Sequence, residues 1–295
     1  MSYHKRHSSL LDPVTGTLLG GMLFFGMMLY AAHPDVGLIA SAANYPEKIT
    51  LAPETLTAKS VVVYDPTTKR ILYSKNPNMQ LPLASLTKLM AAAAVLAARE
   101  ENTYVAITLD DLAPEGDWDL HVGEEWPLKD LVTFGLVASS NDAIAAAAAS
   151  MGGSVIDAMN SAAKDLGLSH TYFLNPTGLD EDLETAGGYG TAHDMALLTE
   201  VFLEKFPAFF EATAQPQIVI QSGDHIVQAD STAEPILTIP GLIGAKRGYT
   251  DFAGGNLVAG FDIEVGHPLI IAVLGSTREG RFEDVKTLLN ALRTP

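Results

Sequence analysis

From Ser60 to Tyr64 and again from Arg70 to Ser74 the chain runs through β-branched and aromatic residues. The intervening Asp65-Pro66-Thr67-Thr68 has turn composition, so the two runs predict a hairpin. After Pro82 the period changes: Ala84–Glu100 is rich in Ala and Leu with no breaker, which predicts a helix. An acidic stretch holding Gly and Pro, from Asp110 to Glu125, predicts a surface excursion. The apolar run Leu128–Ala138 then leads to two further predicted helices, Asn141–Met151 and Val155–Leu166, split by Gly152-Gly153. Residues 167–191 read mostly as loop, punctuated by Asn175-Pro176-Thr177-Gly178 and Gly187-Gly188. Ala192–Glu204 predicts a helix, Gly254–Phe261 and Leu269–Leu274 predict apolar strands, and Arg281–Leu292 predicts a closing amphipathic helix. Strands come first and last with helices between, so the expected fold is α/β: a sheet built from both chain ends with a helical region inserted.

The N-terminus follows a different pattern. Residues 14–32 carry no charge, and nineteen residues at about 1.5 Å each come close to the roughly 30 Å apolar core of a bilayer. Lys5 and Arg6 precede this run and Asp35 follows it, which orients residues 1–13 to the cytoplasm and the remainder outside. Two outcomes compete, a retained signal anchor and a cleaved signal peptide. Ala40-Ser41-Ala42 is the nearest good cleavage pattern and sits well past the apolar run, which favours the anchor. The expected layout is therefore a transmembrane anchor at 14–32, a linker at 33–52 and a folded domain at 53–295.

Composition narrows the function classes. A net charge of −17 argues against nucleic acid, whose phosphates demand clustered Lys and Arg. The absence of cysteine removes thiolate catalysis, Cys-ligated zinc and disulfides. His4 and His7 precede the anchor, the other six histidines are scattered, and each reads as a surface or loop residue. Glu115, Asp117 and Asp119 lack the glycine and bidentate glutamate of a calcium loop and read as solvated.

The chemistry-bearing pattern that remains is Ser-x-x-Lys, present at Ser85–Lys88 and at Ser161–Lys164. Three-residue spacing on a helix places an amine where it can take a hydroxyl proton. Ser161 lies in mid-helix, with its amide already engaged. Ser85 opens a helix after a proline-containing loop, where free N–H groups can hold an oxyanion. An ordinary N-cap serine is the competing reading. Two further groups favour the chemical one: Ser139-Ser140-Asn141 at a turn before an Ala-rich helix, and Lys246-Arg247-Gly248 ahead of the run that starts near Gly254.

With these residues in order, the chain resembles the D-alanyl-D-alanine carboxypeptidases, the low-molecular-mass penicillin-binding proteins of serine peptidase family S11. They are marked by Ser-x-x-Lys, Ser-x-Asn and Lys-Thr-Gly. The resemblance runs from about residue 55 to 293. It takes in the nucleophile segment Pro82–Met90, Ser139–Ala143, Asn175–Leu179 and Gly244–Gly254. It implies the penicillin-binding or β-lactamase-like transpeptidase fold, an antiparallel sheet packed by helices plus a helical subdomain, with 53–295 as the DD-peptidase catalytic domain.

The resemblance further implies that Ser85 attacks a D-Ala-D-Ala peptide bond of a peptidoglycan stem peptide while Lys88 accepts its proton. Ser139 relays a proton to the leaving D-Ala, and Asn141 orients Lys88 and binds the acyl-side peptide. Lys246, Arg247, Gly248 and Tyr249 bind substrate, with the amides of Ser85 and Tyr249 as oxyanion hole. β-Lactams would acylate the same serine, and no metal or organic cofactor is implied. One position departs from the family: Arg247 stands where threonine is expected. Arginine also grips carboxylates, but it is far larger. The alternative is therefore a peptidoglycan-binding relative of altered specificity or impaired turnover. Other rivals are an endopeptidase or a β-lactam hydrolase on the same scaffold; the lack of a clear Glu-x-x-Leu-Asn motif disfavours the latter.

Overall fold

The computed structural model describes residues 48–116 and 119–293; the expected cytoplasmic segment and anchor, 1–13 and 14–32, lie outside them, as does the linker up to residue 47. Among the described residues no helix is long and apolar enough to cross a membrane. The chain is already packed at Ile49, which is buried and donates its amide to the Leu72 carbonyl.

Strands β1 (Ser60–Asp65) and β2 (Arg70–Lys75) form the expected antiparallel hairpin. Asp65 accepts from the amides of Thr67 and Thr68 and so closes the turn between them. The short β3 (Leu81–Pro82) leads into a 3-10 turn, Ala84–Leu86, and only then into α1 (Thr87–Ala98). The continuous helix expected from Ala84 is thus broken at its start, with Ala84 at φ +47°. Next come β4 (Tyr104–Ala106), β5 (Glu125–Pro127), α2 (Leu128–Val137), α3 (Asn141–Ala149) and α4 (Val155–Asp165). The stretch read as loop holds β6 (Tyr172–Phe173) and β7 (Gly188–Gly190), which join β3 in a small antiparallel sheet. α5 (Ala192–Lys205) precedes two elements with no counterpart in the sequence reading, α6 (Pro207–Ala212) and the hairpin β8 (Gln217–Ser222)/β9 (His225–Asp230). The chain closes with β10 (Leu242–Thr250), β11 (Gly254–Glu264), β12 (His267–Ser276) and α7 (Gly280–Arg293).

The main sheet has five antiparallel strands in the order β10-β11-β12-β1-β2, so both chain ends supply it, as expected. Both of its faces are buried, which explains why β1 and β12 read as apolar runs rather than alternations. Val61, Val63, Ile271 and Val273 face a core closed by Phe282, Val285, Leu288 and Leu289 of α7. Val62, Tyr64, Ile270 and Ala272 face the larger core built with α1 to α6. The strand β10 lies at the sheet edge beside the Ala84–Leu86 turn. That junction of sheet and helical region is where the three motifs meet.

Candidate active site

Ser85 sits in the 3-10 turn and Lys88 in the first turn of α1, which brings Lys88 Nζ to 3.0 Å from Ser85 Oγ. Lys88 is fully buried and also donates to the Thr177 carbonyl at 2.7 Å. Burial without a neutralising acid pushes its pKa down from 10.5 to about 7, so a large share of the amine is neutral near physiological pH. Ser161 and Lys164, with the same spacing, are exposed on α4.

The three residues of the second motif divide their tasks. Ser140 is buried and caps α3, its Oγ accepting from the Ala143 amide. Ser139 is held at φ +63°, an unfavourable region for a serine, and its Oγ accepts from Lys246 Nζ at 2.7 Å. Asn141 Nδ2 donates to the Glu115 carbonyl, and the second partner of Lys88 beside Ser85 is the Thr177 carbonyl. The Asn side chain is half-buried at the mouth of α3, where the acidic excursion comes down upon it.

Lys246 lies on β10, wholly buried. Desolvation, then the charges of Lys88, Arg247 and Arg281, hold its pKa well below the ordinary lysine value. Gly248 follows two residues on, and a Cβ there would meet Leu83 O at 2.9 Å and Ser85 N at 3.0 Å, so only glycine lets the strand approach the Ser85 turn this closely. The Ala245 amide points out of the sheet edge to Thr213 Oγ1. Strand alternation sends the Arg247 and Tyr249 amides the same way. Ser85 and Tyr249 line the same hollow.

Two adjoining hollows, of about 670 and 1020 Å³, share Ser139, Tyr249 and Arg278; the first also touches Ser85 and Arg247, the second Asn141. The first is rich in guanidinium. Arg247 is half-buried there, and burial followed by the nearby Arg278 charge lowers its pKa. Arg278 lies 4.1 Å over the Tyr249 ring. Arg281 is buried at the start of α7 and donates to the Gly248 carbonyl at 2.6 Å; burial first, then Arg247, lowers its pKa to about 10. Asp230, Glu234 and Glu279 line the same hollow, so its three guanidiniums face an equal number of carboxylates.

Sequence reasoning located Ser85, Lys88, Ser139, Asn141, Lys246, Arg247, Gly248 and Tyr249, and the structure brings all eight to one cleft. It missed Thr177, Arg278 and Arg281. The Asn175-Pro-Thr-Gly turn was a usable signal for Thr177. Asn175 Oδ1 accepts from the amides of Thr177 and Gly178, and its Nδ2 donates to Leu179 O, which fixes the loop that presents the Thr177 carbonyl. Arg281 had no signal, because helical periodicity reads it as the polar start of α7.

The sheet order, the helical insertion and a serine–lysine pair at their junction define a penicillin-binding or transpeptidase-type fold. The peptidase S11 model, described as D-alanyl-D-alanine carboxypeptidase, matches residues 47–278, and the chain belongs to that family. It is 32% identical over 245 residues to the D-alanyl-D-alanine carboxypeptidase DacF of Bacillus subtilis (79% of this chain, 61% of that protein), so it spans less than two thirds of that relative's length. It is 29% identical over 227 residues to DacB2 of Mycobacterium tuberculosis, covering 76% of this chain and 77% of that one. Among solved structures, a D-alanyl-D-alanine carboxypeptidase of M. tuberculosis superimposes with a TM-score of 0.73 at 26% identity, over 85% of this chain and 94% of that chain. Penicillin-binding protein D2 of Listeria monocytogenes in its ampicillin-bound form gives 0.68 at 29% identity, over 81% and 98%.

Proposed function

We propose that this protein is a serine-type D-alanyl-D-alanine carboxypeptidase that removes the terminal D-Ala from peptidoglycan stem peptides. The observation that carries the reading is the buried Lys88 amine, with a pKa of about 7, at 3.0 Å from a half-buried Ser85 hydroxyl that opens onto the cleft. Lys88 takes the Oγ proton as Ser85 Oγ bonds to the carbonyl carbon of the scissile peptide. The oxyanion is received by the Ser85 and Tyr249 amides, each such donor typically worth about 3 kcal/mol of barrier. Ser139, held by Lys246, relays the proton that Lys88 took from Ser85 on to the nitrogen of the departing D-Ala as the C–N bond breaks, which leaves Lys88 neutral again. Water then attacks the Ser85 ester and releases the shortened peptide. β-Lactams present the same carbonyl and would acylate Ser85, in keeping with the ampicillin-bound state of the Listeria relative. By the same reading, residues 14–32 anchor the enzyme in the cell membrane with the catalytic domain outside.

A second reading rests on one observation, the Arg247 side chain half-buried in the cleft where the family carries threonine. In that reading the guanidinium occupies the terminal D-Ala position, and the cleft binds stem peptides with altered specificity or little turnover. D-Ala release from a synthetic pentapeptide stem, wild type against Arg247→Thr, distinguishes the two. A competent wild type with a variant several-fold weaker in KM supports the grip on the substrate carboxylate. A silent wild type with an active variant supports the obstructive arginine.

A further inference from the structure

The acidic excursion and the β8/β9 hairpin are far apart in sequence, and the structure joins them through a pair of histidines that sequence reading had scattered. The His121 and His225 rings stack with centroids 4.7 Å apart and planes 26° from parallel. Both Nδ1 atoms face one carboxylate oxygen, Glu124 Oε1, at 3.0 Å and 2.6 Å. Both Nε2 atoms face the other carboxylate of the cluster, at 3.4 Å from Asp119 Oδ1 and 3.3 Å from Asp119 Oδ2. Glu124 is held in place through its second oxygen, which accepts from the His121 amide at 3.0 Å and from the indole of the buried Trp126 at 3.1 Å.

With Glu124 as acceptor, each neutral imidazole carries its proton on Nδ1. Each Nε2 lone pair is then aimed at Asp119, which has only lone pairs to offer in return. A cation between them resolves this conflict. The carboxylate–imidazole–metal relay is the arrangement by which proteins fix the tautomer and orientation of histidine ligands. The spacing fits as well: bonds of about 2.0–2.1 Å in a tetrahedral site put ligand atoms about 3.3–3.4 Å apart. Each histidine already stands at that distance from one Asp119 oxygen, His121 from Oδ1 and His225 from Oδ2, and one ligand atom from each residue lies within 4.8 Å of the others. Two imidazoles and one carboxylate select a borderline divalent transition ion over calcium or magnesium.

We propose that Asp119, His121 and His225 form a Zn2+ site, with Glu124 as its orienting outer carboxylate and solvent completing the coordination. The site ties the excursion to the hairpin. The excursion reaches one hollow of the cleft through Glu115, whose carbonyl accepts from Asn141, and β9 runs on to Asp230 and Thr232, which line the other. Zn2+ there steadies both rims of the cleft without entering it.

The test is isothermal titration of Zn2+ into untagged full-length protein freed of metal by chelation. His4→Ala and His7→Ala are present throughout, so that the N-terminal histidines contribute nothing. The expected result is one Zn2+ per chain, with binding abolished by Asp119→Ala or His225→Ala and weakened about 10- to 100-fold by Glu124→Gln. Zn2+ should also raise Tm in the parent and leave it unchanged in Asp119→Ala, a substitution at an exposed position that folding tolerates. Absence of binding to the parent overturns the proposal, as does stoichiometric binding that survives in Asp119→Ala and His225→Ala.

Discussion

Lys88 carries the central chemical demand of the proposed reaction, because a buried ammonium without a counter-ion is costly and its neutral form is the base that reaction would need. Deprotonation is favoured as pH rises, so the rate of Ser85 acylation by a β-lactam should climb through about pH 7 and level off above it. The same depression has a stability consequence. Between about 7 and 10.5 the unfolded lysine holds a proton that the folded one has released, so stability rises with pH across that window and the advantage is gone below it. Urea midpoints measured from pH 6 to pH 10 should show this rise in the wild type. Lys88→Met, which replaces the buried amine by an apolar side chain, should reduce the rise to the part that buried Lys246 contributes and be the more stable protein at neutral pH. At this scale the sequence was most legible, since Ser85, Lys88 and Lys246 announce themselves by type and order. Asn141 illustrates the limit. Motif spacing specifies which residue faces the cleft but not which partner it takes there, and the Glu115 carbonyl arrives from an excursion with no periodicity to place it.

Among elements, the decisive contacts are those that press loops and strands onto the Ser85 turn. Gly248 brings β10 within reach of Ser85, and Gly178, at φ +79°, brings the Asn175 loop so close that a Cβ would lie 1.9 Å from the Ala84 carbonyl oxygen. Gly248→Ala should cost about 1–3 kcal/mol by overpacking against backbone that cannot yield. Acylation should slow more than global stability alone explains, read as the second-order rate with a β-lactam beside a urea denaturation curve. Asn175→Ala removes the acceptor of two loop amides and should cost about 1–3 kcal/mol while slowing acylation, because the Thr177 carbonyl loses its fixed position. Periodicity revealed the long helices and the inner strands within a few residues. It missed β6, β7 and β10, along with α6 and the β8/β9 hairpin. The first two are two or three residues long, and β10 carries Lys246-Arg247 between Gly244 and Gly248, which breaks the apolar pattern of a strand where it borders the polar cleft.

For the molecule as a whole, the fold depends on returning the last helix to the first strand. Asp284 of α7 accepts from the amides of Thr57 and Ala58 and from the hydroxyls of Thr57 and Ser276, all at 2.8–2.9 Å. Asp284→Ala leaves the two amides unpaired and should lower stability by about 2–4 kcal/mol, seen as a fall in urea midpoint with an unchanged slope. That sheet closure was legible in outline, because strands stood at both ends of the sequence, whereas the pairing of β12 with β1 depends on register that no local pattern encodes. Closure also places Arg281 behind Gly248, so the scaffold and the cleft share residues. The account as a whole rests on Ser85 as the acylated nucleophile, and peptide mass spectrometry of the full-length protein after incubation with benzylpenicillin tests this most directly. A penicilloyl adduct confined to the peptide carrying Ser85, and absent in Ser85→Ala, is the predicted result. Folded protein that forms no adduct, or forms it on any other residue, would contradict it.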